Sequence, residues 1–122
     1  MASNLSIRQA SARTGLSTHT LRYYERVDLI PSIGRAANGH RRYSEEDLGW
    51  IEFVKCLRST GMPIADAQRY VQLQQRGDAA YTERLRIMES HRDRLKARID
   101  ELSGFLERIE RKVERYREQV AR

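Results

Sequence analysis

Apolar positions follow three rhythms along this chain, and the changes of rhythm mark its elements. Near the amino end they are sparse and closely spaced: Ile7 and Ala10 give one side of a first short helix, and Leu21 and Tyr24, three apart, give the inward side of a second. Turn formers take over between Asp28 and Tyr43. A richer helical pattern follows from Ser44 to about Thr60, where Phe53, Leu57, Trp50 and Val54 share one arc at about 100° per residue. Gly61-Met62-Pro63 makes a turn, and Pro63 to about Gln75 presents Ile64, Ala67 and Val71 on one side. After a break at Gly77-Asp78, one long helix is predicted from about Ala79 to Ala121. Its seam reads Tyr81, Leu85, Met88, Leu95, Ile99, Leu102, Leu106, Ile109, Val113, Tyr116 and Val120, in steps of four and three once Arg92 fills the single polar place. That is a coiled-coil heptad repeat.

The short helices carry strong local signals. Ser6 can cap the first, and Gln9 can complete a capping box. Gly15 can take the left-handed geometry that ends a helix, and Ser17 can cap the next. Two helices joined this tightly form a helix-turn-helix. On the second, Thr18, His19, Arg22 and Tyr23 point outward as a polar, basic and aromatic face. Tyr24 falls partly inward and reads equally as a core residue or a phosphate contact. In the turn-rich stretch Asn38-Gly39 signals a hairpin, so a two-stranded wing is expected, with Arg35, Arg41 and Arg42 on its edges and Tyr43 at its close. Contacts from such a wing to phosphates position a protein on a duplex without reading bases.

Charge sharpens the picture. Residues 1–43 hold seven arginines against Glu25 and Asp28, a net of +5, out of +6 for all 122 residues. A local basic excess is the electrostatic footprint of a nucleic-acid surface. Composition is 33% charged and 39% hydrophobic, and no apolar run approaches the roughly 18 residues of a membrane span. The opening MASNLSIRQ lacks a signal-peptide core, and a lone Cys56 allows no internal disulfide, so a cytoplasmic setting is expected. The expected fold is mainly α: a winged helix-turn-helix head, residues 1–76, followed by a dimerisation helix, residues 77–122. A helix of that length needs a partner along its seam, and a second copy of the chain is the simplest. Periodicity leaves open whether the two helices run parallel or antiparallel.

The string Leu21-Arg22-Tyr23-Tyr24-Glu25, then Leu29-Ile30-Pro31, then the closing Arg42-Tyr43, resembles the amino-terminal half of MerR-type transcription regulators. Ser44 to Gln74, with CLRSTGMPI at its centre, continues the likeness, and the long helix completes it. One departure is Asp28, where that family usually has Gly; Asp tolerates the left-handed region better than most residues. The resemblance implies an antiparallel homodimer on double-stranded promoter DNA. It also implies activation by bending and untwisting an over-long spacer so that RNA polymerase engages both promoter elements. The context of Cys56 is similar to that of the aldehyde- and nitrosative-stress group, which implies an electrophile sensor; without the resemblance Cys56 reads as a small buried hydrophobe.

No metal or other cofactor is expected, because the stretches where metal-sensing members carry cysteines, Gly77 to Tyr81 and Tyr116 to Arg122, contain no Cys or His. The chain ends with the coiled coil, so no separate drug-binding domain is expected. Enzyme activity is not expected, since no His lies within a helical turn of Cys56 to act as its base. Two other classes fit less of the pattern. They are a non-switching architectural or excisionase-like DNA-binding protein, and a coiled-coil scaffold with incidental basic charge.

Overall fold

The computed structural model describes residues 5–30, 34, 39 and 42–122. Serines open the first three helices. Ser6 caps α1 (Ile7–Thr14), Ser17 caps α2 (Thr18–Arg26), and Ser44 caps α3 (Glu45–Ser59), each side chain accepting from a backbone N–H three residues on. At Ser6 and Ser44 the box is closed in return, by Gln9 Oε1 at 2.8 Å and Asp47 Oδ2 at 2.9 Å. Glu45, Glu46 and Asp47 then fill the first turn of α3, where the helix dipole favours acids. Pro63 precedes α4 (Ile64–Gln74). A 3-10 turn, Gly77–Ala80, leads into α5 (Tyr81–Ala121), so the long helix begins slightly later than its periodicity suggests.

The core of the head gathers Ala10, Leu21, Leu29, Ile51, Val54, Leu57, Met62 and Val71, all nearly or fully buried. On α3 the core arc is Leu48, Ile51, Val54 and Leu57; of the expected arc, Val54 and Leu57 belong to it, whereas Trp50 and Phe53 do not. Apolar residues occupy more than one stripe of this helix, and two neighbours compete for them. The first stripe packs into the head, while half-buried Trp50 and partly exposed Phe53 turn to α4. There Tyr70 stacks on Trp50, ring centroids 5.9 Å apart and 10° between planes, and meets Phe53 at 5.9 Å and 52°.

Among the described residues there is no regular strand. A single antiparallel bridge joins Leu5 and Tyr43, with N–H to O distances of 3.1 and 2.8 Å, and Arg42 N–H donates to Gly34 O at 2.8 Å. Pro31, Asn38, Arg35 and Arg41, from which the wing was argued, lie outside the described residues.

Asp28 takes φ +58°, the left-handed conformation, and lets Leu29 N–H donate to Tyr24 O at 2.9 Å, which terminates α2. By contact the chain divides into two compact units, the first running to Ile87 and the second from Met88. The first includes the opening turns of α5, held by a two-pronged Arg69 to Glu83 pair at 2.6 Å and by Arg84 over the rings of Tyr70 and Tyr81 at 5.6 and 4.7 Å. In the second unit the seam of α5 is solvent-facing, and Glu114 and Arg117 form an intrahelical ion pair at 3.2 Å.

Two stability outcomes follow from these contacts. Asp28→Val is expected to lower the unfolding free energy by about 1–2 kcal/mol, because a branched side chain resists the left-handed region, whereas Asp28→Gly is not expected to lower it; urea unfolding midpoints check both. Arg13, from α1, grips Glu45 of α3 through two bonds of 3.1 and 2.7 Å and holds that carboxylate below its ordinary value of 4.5. A depressed carboxylate stabilises the fold above its unfolded pKa and loses that contribution as pH falls through the folded value. Glu45→Gln is therefore expected to flatten the pH dependence of stability below 4.5 and leave its shape at neutral pH unchanged.

Candidate nucleic-acid interface

The turn between α1 and α2 sets the direction of the outward face. Gly15 holds φ +74° and donates its N–H to Ser11 O at 2.9 Å. Ser11 Oγ donates to Leu16 O at 2.6 Å, and Thr14 Oγ1 both donates to Ala10 O at 2.9 Å and accepts from Leu16 N–H at 3.3 Å. From α3, Lys55 Nζ donates to Thr14 O at 2.7 Å, placing a cation on the carboxyl end of α1. A Cβ at Gly15 would sit 3.2 Å from that ammonium, which a small shift of the lysine relieves, so it is the left-handed conformation that favours glycine at this turn. At the far end of α2, Gln68 Nε2 of α4 donates to Val27 O at 2.7 Å. Helix α2 is thus held at its carboxyl end by Gln68, and the end of α1 that leads into it is held by Lys55. Ser11, Thr14 and Gln68 were not singled out in the sequence, and Lys55 stood out only as a cation beside Cys56. Their partners are backbone carbonyls, and two lie 41 residues away in the chain, where no local spacing reveals them.

With Leu21 fully buried beneath it, α2 turns His19 and Arg22 to solvent and leaves Thr18 and Tyr23 half-exposed. Arg26, three residues beyond Tyr23, lies with its guanidinium 5.5 Å from the Tyr23 ring centroid and extends the basic face. Sequence spacing could have added Arg26, since i and i+3 share a helical face. The face combines hydroxyl, imidazole, guanidinium and phenol groups on one helix, the donors that reach base edges and phosphates in a major groove.

Two other expected contact residues are not on this face. Tyr43 is fully buried in the core, because the bridge to Leu5 draws its backbone against the start of α1. Tyr24 keeps only 8% of its surface exposed, and its ring meets that of Tyr23 at 6.4 Å. Burial pushes the Tyr24 hydroxyl above its ordinary value, with the charge of Arg58 pulling part of the way back. The half-buried Arg42 is described; Arg35 and Arg41 are outside the described residues.

Cys56 is exposed near the carboxyl end of α3. Its carbonyl accepts from the Thr60 N–H at 3.1 Å and the Thr60 hydroxyl at 2.8 Å. The flanking cations are committed to backbone: Lys55 to Thr14 O, and Arg58 to Met62 O at 2.5 Å. Among the described residues no three His, Cys, Asp or Glu side chains converge as a metal ion would need, and no helix is long and apolar enough to cross a membrane.

A helix-turn-helix with a basic outer face, joined to a long heptad helix, defines a DNA-binding regulator rather than an enzyme. Comparison with known proteins gives the family. Residues 5–74 match the MerR HTH family regulatory protein model and residues 48–112 match the MerR DNA-binding model, and the chain belongs to this family of transcriptional regulators. It is 34% identical over 113 residues to an uncharacterized HTH-type transcriptional regulator of Haemophilus influenzae, covering 93% of this chain and 84% of that one. With the Bacillus subtilis regulator AdhR it shares 44% identity over 91 residues, 75% of this chain and 65% of that one. Among solved structures, a MerR family regulator from Listeria monocytogenes superposes with a TM-score of 0.89 at 37% identity, over 93% of this chain and 86% of that one. HiNmlR, a MerR family regulator lacking the sensor domain and bound to promoter DNA, superposes with a TM-score of 0.88 at 32% identity, over 98% and 94%.

Exposure of Arg22 at the middle of α2 generates a direct expectation. Arg22→Ala should weaken binding to operator DNA about tenfold, or about 1.4 kcal/mol. Salt-titrated fluorescence anisotropy separates two modes: a lost phosphate contact also lowers the salt slope by about 0.9, whereas a lost base contact leaves it unchanged and relaxes sequence preference.

Proposed function

We propose that this chain is a dimeric, sequence-specific promoter-binding regulator that acts by distorting DNA. The observation that carries the reading is the α2 face of His19, Arg22, Tyr23 and Arg26, held in a fold close to that of HiNmlR on its promoter. Thr18, His19, Arg22 and Tyr23 contact the major groove, Arg42 with Arg35 and Arg41 contacts phosphates, and Tyr24 and Tyr43 support the helix from beneath. Two heads related by a twofold axis read the halves of a palindromic site. Bending and untwisting the spacer between them then lets RNA polymerase engage both promoter elements, with deformation energy as the quantity being switched.

Cys56 is the group on which such a switch acts. Likeness to AdhR and exposure of the thiol support this reading. The thiolate sulfur adds to the carbonyl carbon of an aldehyde, the carbonyl oxygen takes up a proton, and a hemithioacetal forms near the junction of α3 and α4. A second reading, a DNA-bending protein without an effector, draws support from the engagement of Lys55 and Arg58 with backbone carbonyls rather than with the sulfur.

In vitro transcription from the promoter upstream of the chain's own gene discriminates the two, using wild type and Cys56→Ser with and without formaldehyde, methylglyoxal or a nitrosothiol. The expected outcome is induction in wild type that is lost in Cys56→Ser with DNA affinity unchanged. An equal response of both proteins would remove Cys56 from the mechanism, and DNA bending without any effector response would favour the second reading.

A further inference from the structure

The carboxyl half of α5 sorts its charges by side. At about 100° per residue the seam residues Leu106, Ile109, Val113 and Tyr116 share one arc, and Glu107, Glu110, Glu114 and Glu118 share a second. Arg108, Arg111, Lys112 and Arg115 share a third, centred about 130° from the seam, so a partner along the seam leaves it open to solvent. These four cations alone line a groove of about 350 Å³ on the helix surface. Arg108, Arg111 and Arg115 enter no ion pair or hydrogen bond among the described residues, and Lys112 is drawn only to the Tyr116 ring, at 6.0 Å.

A helix face that is merely solvated gains by placing a carboxylate three or four residues from each cation. Around Lys112 those places hold Arg108, Ile109, Arg115 and Tyr116, and around Arg108 they hold Gly104, Phe105, Arg111 and Lys112. Arg108 and Arg115 thus each neighbour both Arg111 and Lys112, and every one of these like-charged pairs weakens the helix. The helix dipole does not account for them. Its field fades within the last turn, and that turn of α5 holds no basic residue.

With Arg94, Arg98 and Arg122 the basic side extends from residue 94 to residue 122, about 42 Å along the helix, interrupted by Glu101. A row of that length fits a linear polyanion better than an acidic protein surface, whose charge comes in patches. A nucleic-acid backbone repeats its charge along a line, and guanidinium groups bind phosphate oxygens in pairs. In an antiparallel dimer the twofold axis across the coil returns this side onto itself, so the rows of both copies share one face. We propose that the basic side of α5, centred on the groove of Arg108, Arg111, Lys112 and Arg115, is a second DNA-binding surface that takes the phosphate backbone of duplex outside the bases read by α2. This rests on the promoter-binding dimer reading above and adds to it a contact that is blind to sequence.

Salt-titrated anisotropy of the full chain on its promoter reads the contact. Twofold symmetry doubles every contact, so loss of one phosphate contact per subunit lowers the slope of log K against log salt by about 1.8. Arg108→Gln, Lys112→Gln and Arg115→Gln in one chain are expected to lower it by at least that much, with the ratio of affinities for operator and scrambled DNA as in wild type. An unchanged slope overturns the inference. Cross-linking keeps these cations in place and tests the same point if the triple variant loses its fold. In a Cys56→Ser background, an azidophenacyl group on Gln119→Cys, on the basic side, is expected to attach to promoter DNA, and one on Glu107→Cys, in the acidic arc, is not. Equal attachment from both positions, or none from either, overturns the inference; capture of a polymerase subunit in place of DNA assigns the row to an acidic protein and overturns it too. Wild type that binds its promoter as a dimer while the Gln119→Cys label misses DNA overturns this inference alone. Wild type that sediments as a monomer or fails to bind the promoter overturns the underlying reading as well.

Discussion

The direction of α2 depends on the left-handed turn that joins it to α1. Gly15 must be left-handed, and the Lys55 ammonium lies 3.2 Å from where a side chain would begin. That closeness lets one lysine from α3 satisfy the last carbonyl of α1 while holding α2 at a set angle to the core. Gln68 holds the carboxyl end of α2 through Val27 O. A helix of nine residues is too short to be stable alone, so α2 relies on the Gln68 bond at its carboxyl end, on the Lys55 bond to the end of α1 just before it, and on the burial of Leu21.

A second constraint links the head to the first turns of α5. Tyr70 receives Trp50 on its ring, touches Phe53, and attracts Arg84, while Arg69 binds Glu83. Because α3 spends one stripe on the core of the head and another on this aromatic cluster, it serves two neighbours at once. Cys56 lies on neither stripe and remains exposed. In the proposed switch, a modification there would act between the helix that pins the reading face and the turn that leads to α4.

Local signals along the chain were legible because they act over three or four residues. Serine caps at Ser6, Ser17 and Ser44, the left-handed Gly15 and Asp28, and the breaks at Gly61 and Gly77 all stand where backbone and side-chain chemistry place them. The heptad of α5 was equally plain, since a periodic seam repeated over many turns is a strong pattern. It also implies a partner, because an exposed apolar stripe of that length is costly to leave in water.

The sequence by itself determined the order of helices, the outward placement of His19 and Arg22, and membership in a family of DNA-binding regulators. Tertiary structure decided the rest. It placed Tyr43 and Tyr24 in the core, sent Trp50 and Phe53 to α4 instead of the head, and assigned Lys55 and Gln68 to distant carbonyls. The reason is physical: a cap or a turn is settled by neighbours in the chain. The side on which an amphipathic aromatic is buried, or the carbonyl a long side chain finds, depends on which elements arrive beside it in space.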